Sequence, residues 1–140
     1  RTPRYRKRER DAAQRAVEVL KSIDLGECLD SYAGDLPYGK QRRLEIARAI
    51  ATGARLILLD EPAAGMNPQE SEDLMQFIRQ LRGQGFTILM IEHDMNIVMN
   101  ISDRVYVMDY GKVIASGTPG EVISNPDVIR AYLGESEEEA

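Results

Sequence analysis

Asp60 and Glu61 stand side by side where the apolar run "LILLD" gives way to "EPAAGMNP", so that a buried strand ends on two adjacent carboxylates. Acids at the carboxyl end of a strand in an open parallel sheet border the crevice where ligands bind. Asp60, closing the strand, offers a hard oxygen suited to a magnesium ion, directly or through a water. Glu61, separated from it by the alternation of a strand, is placed to activate a water as a general base. The same "DEP" also makes a polar exit from strand to loop, and the tripeptide alone supports both readings. His93, the only histidine, follows a second apolar run in "TILMIEHD", where a neutral imidazole can hydrogen-bond a phosphate oxygen or orient a water. A third element is "LPYGKQRRLEIARA". Gly39 lets the backbone turn tightly into a helix whose free N–H groups and dipole hold an anion, and Lys40 adds a positive charge. That segment reads equally as an amphipathic helix with Leu44, Ala47 and Ala51 toward a core and Arg42, Arg43 and Arg48 toward water.

These groups need elements to position them. Between Glu9 and Ile23 the apolar positions Ala12, Ala13, Ala16, Val17, Leu20 and Ile23 recur at helical steps, and a glycine- and aspartate-rich loop leads on to a second helix from about Lys40 to Thr52, capped by Gly53. "RLILLD" and "FTILMIE" are apolar without alternation, as expected of central parallel strands covered on both faces. Asn67, Pro68 and Glu70 form a capping box that opens a helix to about Arg82. Strand, helix, strand is a βαβ crossover, which brings Asp60, Glu61 and His93 toward one sheet edge. A short helix in "HDMNIVMNIS", a hairpin around "DYGK", a second capping box on Thr118 and Glu121, and a last helix from Asn125 and Pro126 to Gly134 complete the chain.

With 140 residues, of which 43% are hydrophobic, the chain has room for one globular core or part of one. A formal charge of −5 gives no overall pull toward nucleic acid, so no nucleic-acid partner is expected. The basic opening "RTPRYRKRER" and the acidic close "ESEEEA" read as solvated ends. A lone cysteine, Cys28, forms no intrachain disulfide, and the apolar runs fall well short of the ~20 residues that span a bilayer.

The segments "LPYGKQRRLEIARAI", "LILLDEPAAGMNP", "TILMIEHDM" and "DRVYVMDYGKVIASGTPGEV" resemble, in order and spacing, the signature helix, Walker B strand, D-loop and switch histidine of ABC-type ATPases. The wording, with the closing "NPDVIRAYLGE", looks most like the ATP-binding subunits of branched-chain amino-acid importers. The resemblance implies an α/β fold, part of a P-loop NTPase-type ABC ATPase domain with a mostly parallel sheet and flanking helices. It implies ATP and Mg2+ as cofactors. Asp60 falls on the magnesium ligand, Glu61 on the general base, His93 on the switch histidine, Gly65, Met66 and Asn67 on the D-loop, and Leu36, Pro37, Tyr38, Gly39 and Lys40 on the signature. Pro37 replaces the usual signature serine, Tyr38 its first glycine and Lys40 its glutamine. With the serine hydroxyl lost, backbone N–H groups and the helix dipole must carry the γ-phosphate contact. No "GxxxxGK[ST]" occurs, so the chain is expected to be the C-terminal part of a subunit whose N-terminal phosphate-loop portion is missing. The expected organisation is a helical subdomain and signature helix over 1–53, an α/β core over 54–117, C-terminal helices over 118–134 and an acidic tail over 135–140. The implied partners are a second ATPase subunit in a head-to-tail dimer and transmembrane permease subunits. The implied place is cytoplasmic, peripheral on the inner face of the plasma membrane. A non-enzymatic interaction module and the ATPase of a lipopolysaccharide-export system are the alternative readings.

Overall fold

The computed structural model describes residues 2–133; the acidic tail and the expected helix end at Gly134 lie outside the described residues. The chain divides into two compact units, Arg1–Ile91 and Glu92–Ala140.

The first unit opens with helix α1 (Pro3–Ser22), which begins six residues before the expected Glu9. Thr2 accepts a hydrogen bond from the Tyr5 N–H and Pro3 occupies the first turn, a start signal that extends the helix through the basic stretch. The alanine stripe does not become a buried face. Val17, Val19 and Leu20 are half-buried, and the fully buried pair, Ile23 and Leu25, follows the helix. Two 3-10 turns, Gly26–Cys28 and Ala33–Asp35, lead to helix α2 (Tyr38–Ala51). Gly53, at φ 84° and donating to the Ile50 carbonyl, ends it in the left-handed conformation that favours glycine.

Strand β1 (Leu56–Asp60) pairs in parallel with β2 (Thr87–Ile91) in a register that sets Ile57 beside Ile88 and Asp60 beside Ile91. Between them runs helix α3 (Pro68–Gly83), opened by the expected Asn67/Glu70 capping box. Leu74, Met75, Phe77, Ile78 and Leu81 form its buried face, and α2 packs against α1, α3 and β1.

The expectation of strands covered on both faces is corrected. Ile57 is buried and its neighbours Leu59, Ile88 and Met90 are half-buried, whereas Leu56, Leu58, Leu89 and Ile91 on the opposite face are all more than half exposed. The physical reason is alternation: side chains of period two meet helical cover on one face only among the described residues. An apolar run without polar alternation therefore reports two apolar faces, not two covered ones.

The second unit comprises helix α4 (Met95–Ile101), the antiparallel hairpin β3 (Val105–Asp109) and β4 (Lys112–Gly117), helices α5 (Pro119–Ile123) and α6 (Pro126–Val128), and a π-helical turn, Ile129–Leu133. Tyr110 and Gly111 both have positive φ at the tip, the geometry of a two-residue primed turn. The Thr118/Glu121 capping box forms as expected. Bonds from the Thr118 backbone N–H and then its hydroxyl hold the Glu121 carboxyl below its usual range. Val105, Val107, Val122 and Val128 are the core of this unit, with Val98, Met99 and Ile114 packed against them.

Candidate functional site

Asp60 is the last residue of β1 and is exposed, on the same sheet face as Leu56 and Leu58. It borders a small cleft of about 190 Å3 whose wall includes Arg42, Glu45 and Ile46 of α2 and Pro62. Glu61 donates its backbone N–H to the Ile91 carbonyl at 2.9 Å, extending the parallel ladder one step. It does so at φ 42°, a left-handed conformation that costs a residue with a Cβ about 1–3 kcal/mol and clusters at functional sites. The backbone therefore leaves the strand between the two acids. Strand alternation therefore ends at Glu61 and does not by itself describe the relation of the two acids.

The chain beyond Glu61 is a tight double turn. Ala64 donates to the Glu61 carbonyl at 3.0 Å and Met66 to the Ala63 carbonyl at 3.1 Å. Gly65 sits between them at φ 77°, where a Cβ would be strained. Asn67 then closes the turn into α3: its side chain accepts from the Glu70 N–H at 2.9 Å and its own N–H donates to the Glu70 carboxylate at 3.1 Å. Gly65, Met66 and Asn67 are thus held by Asp60–Glu61 on one side and by α3 on the other.

The N-terminus of α2 differs from those of the other described α-helices. Thr2, Asn67, Asp94, Thr118 and Asn125 cap theirs with a side chain, whereas Pro37 at the start of α2 provides no such bond. First-turn N–H groups without a side-chain cap, on a helix of 14 residues, suit an anion. Gly39 is not there for a tight turn, contrary to the expectation: it has ordinary helical φ, and a Cβ on it would meet nothing within 4 Å. Leu36, Gly39 and Lys40 are half-buried, Pro37 and Tyr38 exposed.

Lys40 turns back from this N-terminus. Its ammonium contacts Glu27 Oε1 at 2.6 Å and Cys28 Sγ at 3.6 Å. The hydrogen bond to Glu27 raises the Lys40 pKa above the ordinary lysine range, and the Lys40 ammonium holds the Glu27 carboxyl below the usual carboxylate range. A depressed carboxyl stabilises the fold above its unfolded pKa, and that contribution is lost as pH falls through the folded value. A raised ammonium stabilises below its unfolded pKa, and is lost as pH rises through the folded value. Glu27→Gln is expected to return the Lys40 pKa toward the ordinary lysine range, read by NMR titration of the lysine side chain, with little change in melting temperature at neutral pH because the pair is largely exposed. An unmoved Lys40 pKa would contradict the pairing. Arg42 and Arg43, expected in water, are half-buried. Arg43 lies over the Phe77 ring, 5.1 Å from its centroid, and donates to the Asp73 carbonyl at 3.2 Å, because a guanidinium keeps its stem against apolar surface while its donors reach a polar rim.

His93 belongs to the second unit, exposed in the link between β2 and α4 and two residues beyond Ile91. Asp94, next to it, caps α4 through the N–H groups of Asn96 and Ile97. Glu27, Cys28 and Arg42 were not singled out as site residues by the sequence. A glutamate thirteen positions from its lysine, across a loop, leaves no periodic signature. Among the described residues no group of three or more His, Cys, Asp or Glu gathers to hold a metal. A single carboxylate at Asp60 still suits magnesium, which keeps most of its shell as water and nucleotide phosphates.

A family model described as "ABC transporter" matches residues 1–64, and one described as "Branched-chain amino acid ATP-binding cassette transporter" matches residues 112–138. The chain is thus similar to ATP-binding-cassette transporter proteins in both matched segments. Its sequence is 50% identical over 136 residues to the high-affinity branched-chain amino acid transport ATP-binding protein BraF of Pseudomonas aeruginosa, covering 96% of this chain and 53% of that protein. It is 51% identical over 136 residues to LivG of Escherichia coli, a protein of the same description, again covering 96% and 53%. The ADP conformation of MJ1267, an ATP-binding cassette of an ABC transporter, superposes with a TM-score of 0.81 at 36% identity, over 89% of this chain and 51% of that one. The chain thus spans about half the length of the curated relatives it matches. Among the described residues no helix is long and apolar enough to cross a membrane.

Proposed function

We propose that this chain is the signature, Walker B and switch portion of an ATPase subunit that couples ATP binding and hydrolysis to the import of branched-chain amino acids. The observation that carries the reading is 50% identity to BraF sustained over 96% of the chain. In this reading residues 1–53 are the helical subdomain with the signature helix, 54–117 the α/β core and 118–134 the C-terminal helices. Asp60 holds magnesium, which when bound with ATP screens the phosphate charge. Glu61 takes a proton from the attacking water, and His93 orients the phosphate end of the site. Leu36 to Lys40 start the helix whose N–H groups face an anion, here the γ-phosphate on a partner subunit. Gly65 to Asn67 meet that same partner across a head-to-tail dimer, with transmembrane permease subunits below. The subunit sits on the cytoplasmic face of the membrane.

These residues supply acid, base and anion-facing N–H groups but no phosphate-loop lysine. The 140-residue chain by itself is therefore expected to bind ATP poorly and to show no magnesium-dependent turnover, while the full-length subunit assembled with its permease hydrolyses ATP. Steady phosphate release by the purified chain, or none by the full-length assembly in the presence of transported amino acid, would overturn the assignment.

A further inference from the structure

We propose that Tyr38 is a positioning residue, whose hydroxyl ties the anion-facing start of α2 to the turn after β1 so that the two present themselves to a partner subunit as one body. The proposal rests on the ATPase reading above and adds to it a residue that replaces a signature glycine. Tyr38 Oη donates to the Ala64 carbonyl at 3.1 Å and accepts from Arg42 Nη2 at 2.7 Å. Arg42 also lies over the Tyr38 ring, 5.1 Å from the centroid, and is itself fixed by Glu45 Oε2 at 2.8 Å. Glu45, Arg42, Tyr38 and Ala64 thus form a hydrogen-bonded chain from the second turn of α2 into the double turn that carries Gly65 and Met66. Tyr38 is 38% exposed and is not part of the core, so the geometry uses it as a bridge more than as filling. The carbonyl it grips lies one residue before Gly65, the left-handed position on which the turn depends. A glycine at position 38 has no side chain with which to make this tie.

Tyr38→Phe keeps the ring and its stack under Arg42 and removes only the O–H. A neutral hydrogen bond contributes a factor of roughly three to ten to the equilibrium it governs. In the full-length subunit assembled with its permease, Tyr38→Phe is expected to speed amide exchange at Ala64 and Met66 by about that factor. It should lower kcat by a similar factor and leave KM for ATP unchanged, because the tie acts on presentation to the partner and not on first binding. Arg42→Met should give the same pattern, and the double variant no more than either single one, since both act through one hydroxyl. Glu61→Gln run in parallel separates the two claims. If it abolishes turnover while Tyr38→Phe leaves kcat and exchange at the parent values, the tie is wrong and the ATPase reading stands. If Tyr38→Phe instead raises KM and lowers the melting temperature together, Tyr38 is ordinary packing and the proposal fails. If Glu61→Gln turns over normally the ATPase reading fails, and faster exchange at Ala64 and Met66 still supports the tie while unchanged exchange overturns it.

Discussion

Glu61→Gln in the full-length, permease-bound subunit should lower ATP turnover by roughly 10²–10⁴-fold, the usual worth of a positioned general base. The amide keeps the shape of the side chain and loses its basicity. Nucleotide affinity should hold, because Glu61 acts on the water and not on the phosphates, and the closed dimer should accumulate in ATP. Asp60→Asn should behave differently, weakening magnesium-dependent binding itself. The backbone explains why neighbours can divide the work. Asp60 still belongs to β1 and is in register with Ile91, whereas Glu61 has left the strand at φ 42°. Turnover near the parent rate in Glu61→Gln, or loss of ATP binding as in Asp60→Asn, would sink this division.

What the sequence disclosed follows from how local each cause is. The Asn67/Glu70 and Thr118/Glu121 capping boxes were readable because a cap and its partner lie three residues apart, and both formed. The parallel pairing of β1 and β2 was readable because two strands joined through a helix have few alternatives. The start of α1 is written in Thr2 and Pro3, a cap that lies outside the apolar period beginning at Glu9. Burial was less legible. Leu58 and Leu89 look like core residues from their types, yet they are exposed on the uncovered face of the sheet, and no local pattern says how many layers a sheet will have. Tyr38 departs from the signature in the sequence, but its long-range bond to Ala64, 26 residues away, leaves no local pattern. The positive φ of Glu61 was equally hidden, since glutamate carries no preference for that region; neighbouring Pro62 marks a turn without fixing its geometry.

The other large effect is expected in the layer that keeps α2 and α3 together. Phe77 is 2% exposed, on the buried face of α3 with Leu74, Ile78 and Leu81, and its ring lies beneath the Arg43 guanidinium of α2. Phe77→Ala removes a buried aromatic ring, leaves a cavity and deprives Arg43 of its platform; a truncation of this kind costs roughly 3–5 kcal/mol. Phe77→Leu retains most of the volume and should cost well under half as much. Denaturant unfolding of the full-length subunit, with both variants measured against the parent, reads the difference. The consequence reaches the site because α3 begins at the Asn67 cap and α2 at the anion-facing Tyr38 turn, so their mutual packing sets the distance between those two ends. Phe77→Ala should therefore also speed amide exchange at Ala64 and Met66, while Phe77→Leu leaves it close to parental. A loss below about 1 kcal/mol in Phe77→Ala would show that the site can collapse around the missing ring, and that something other than this contact fixes the two helices.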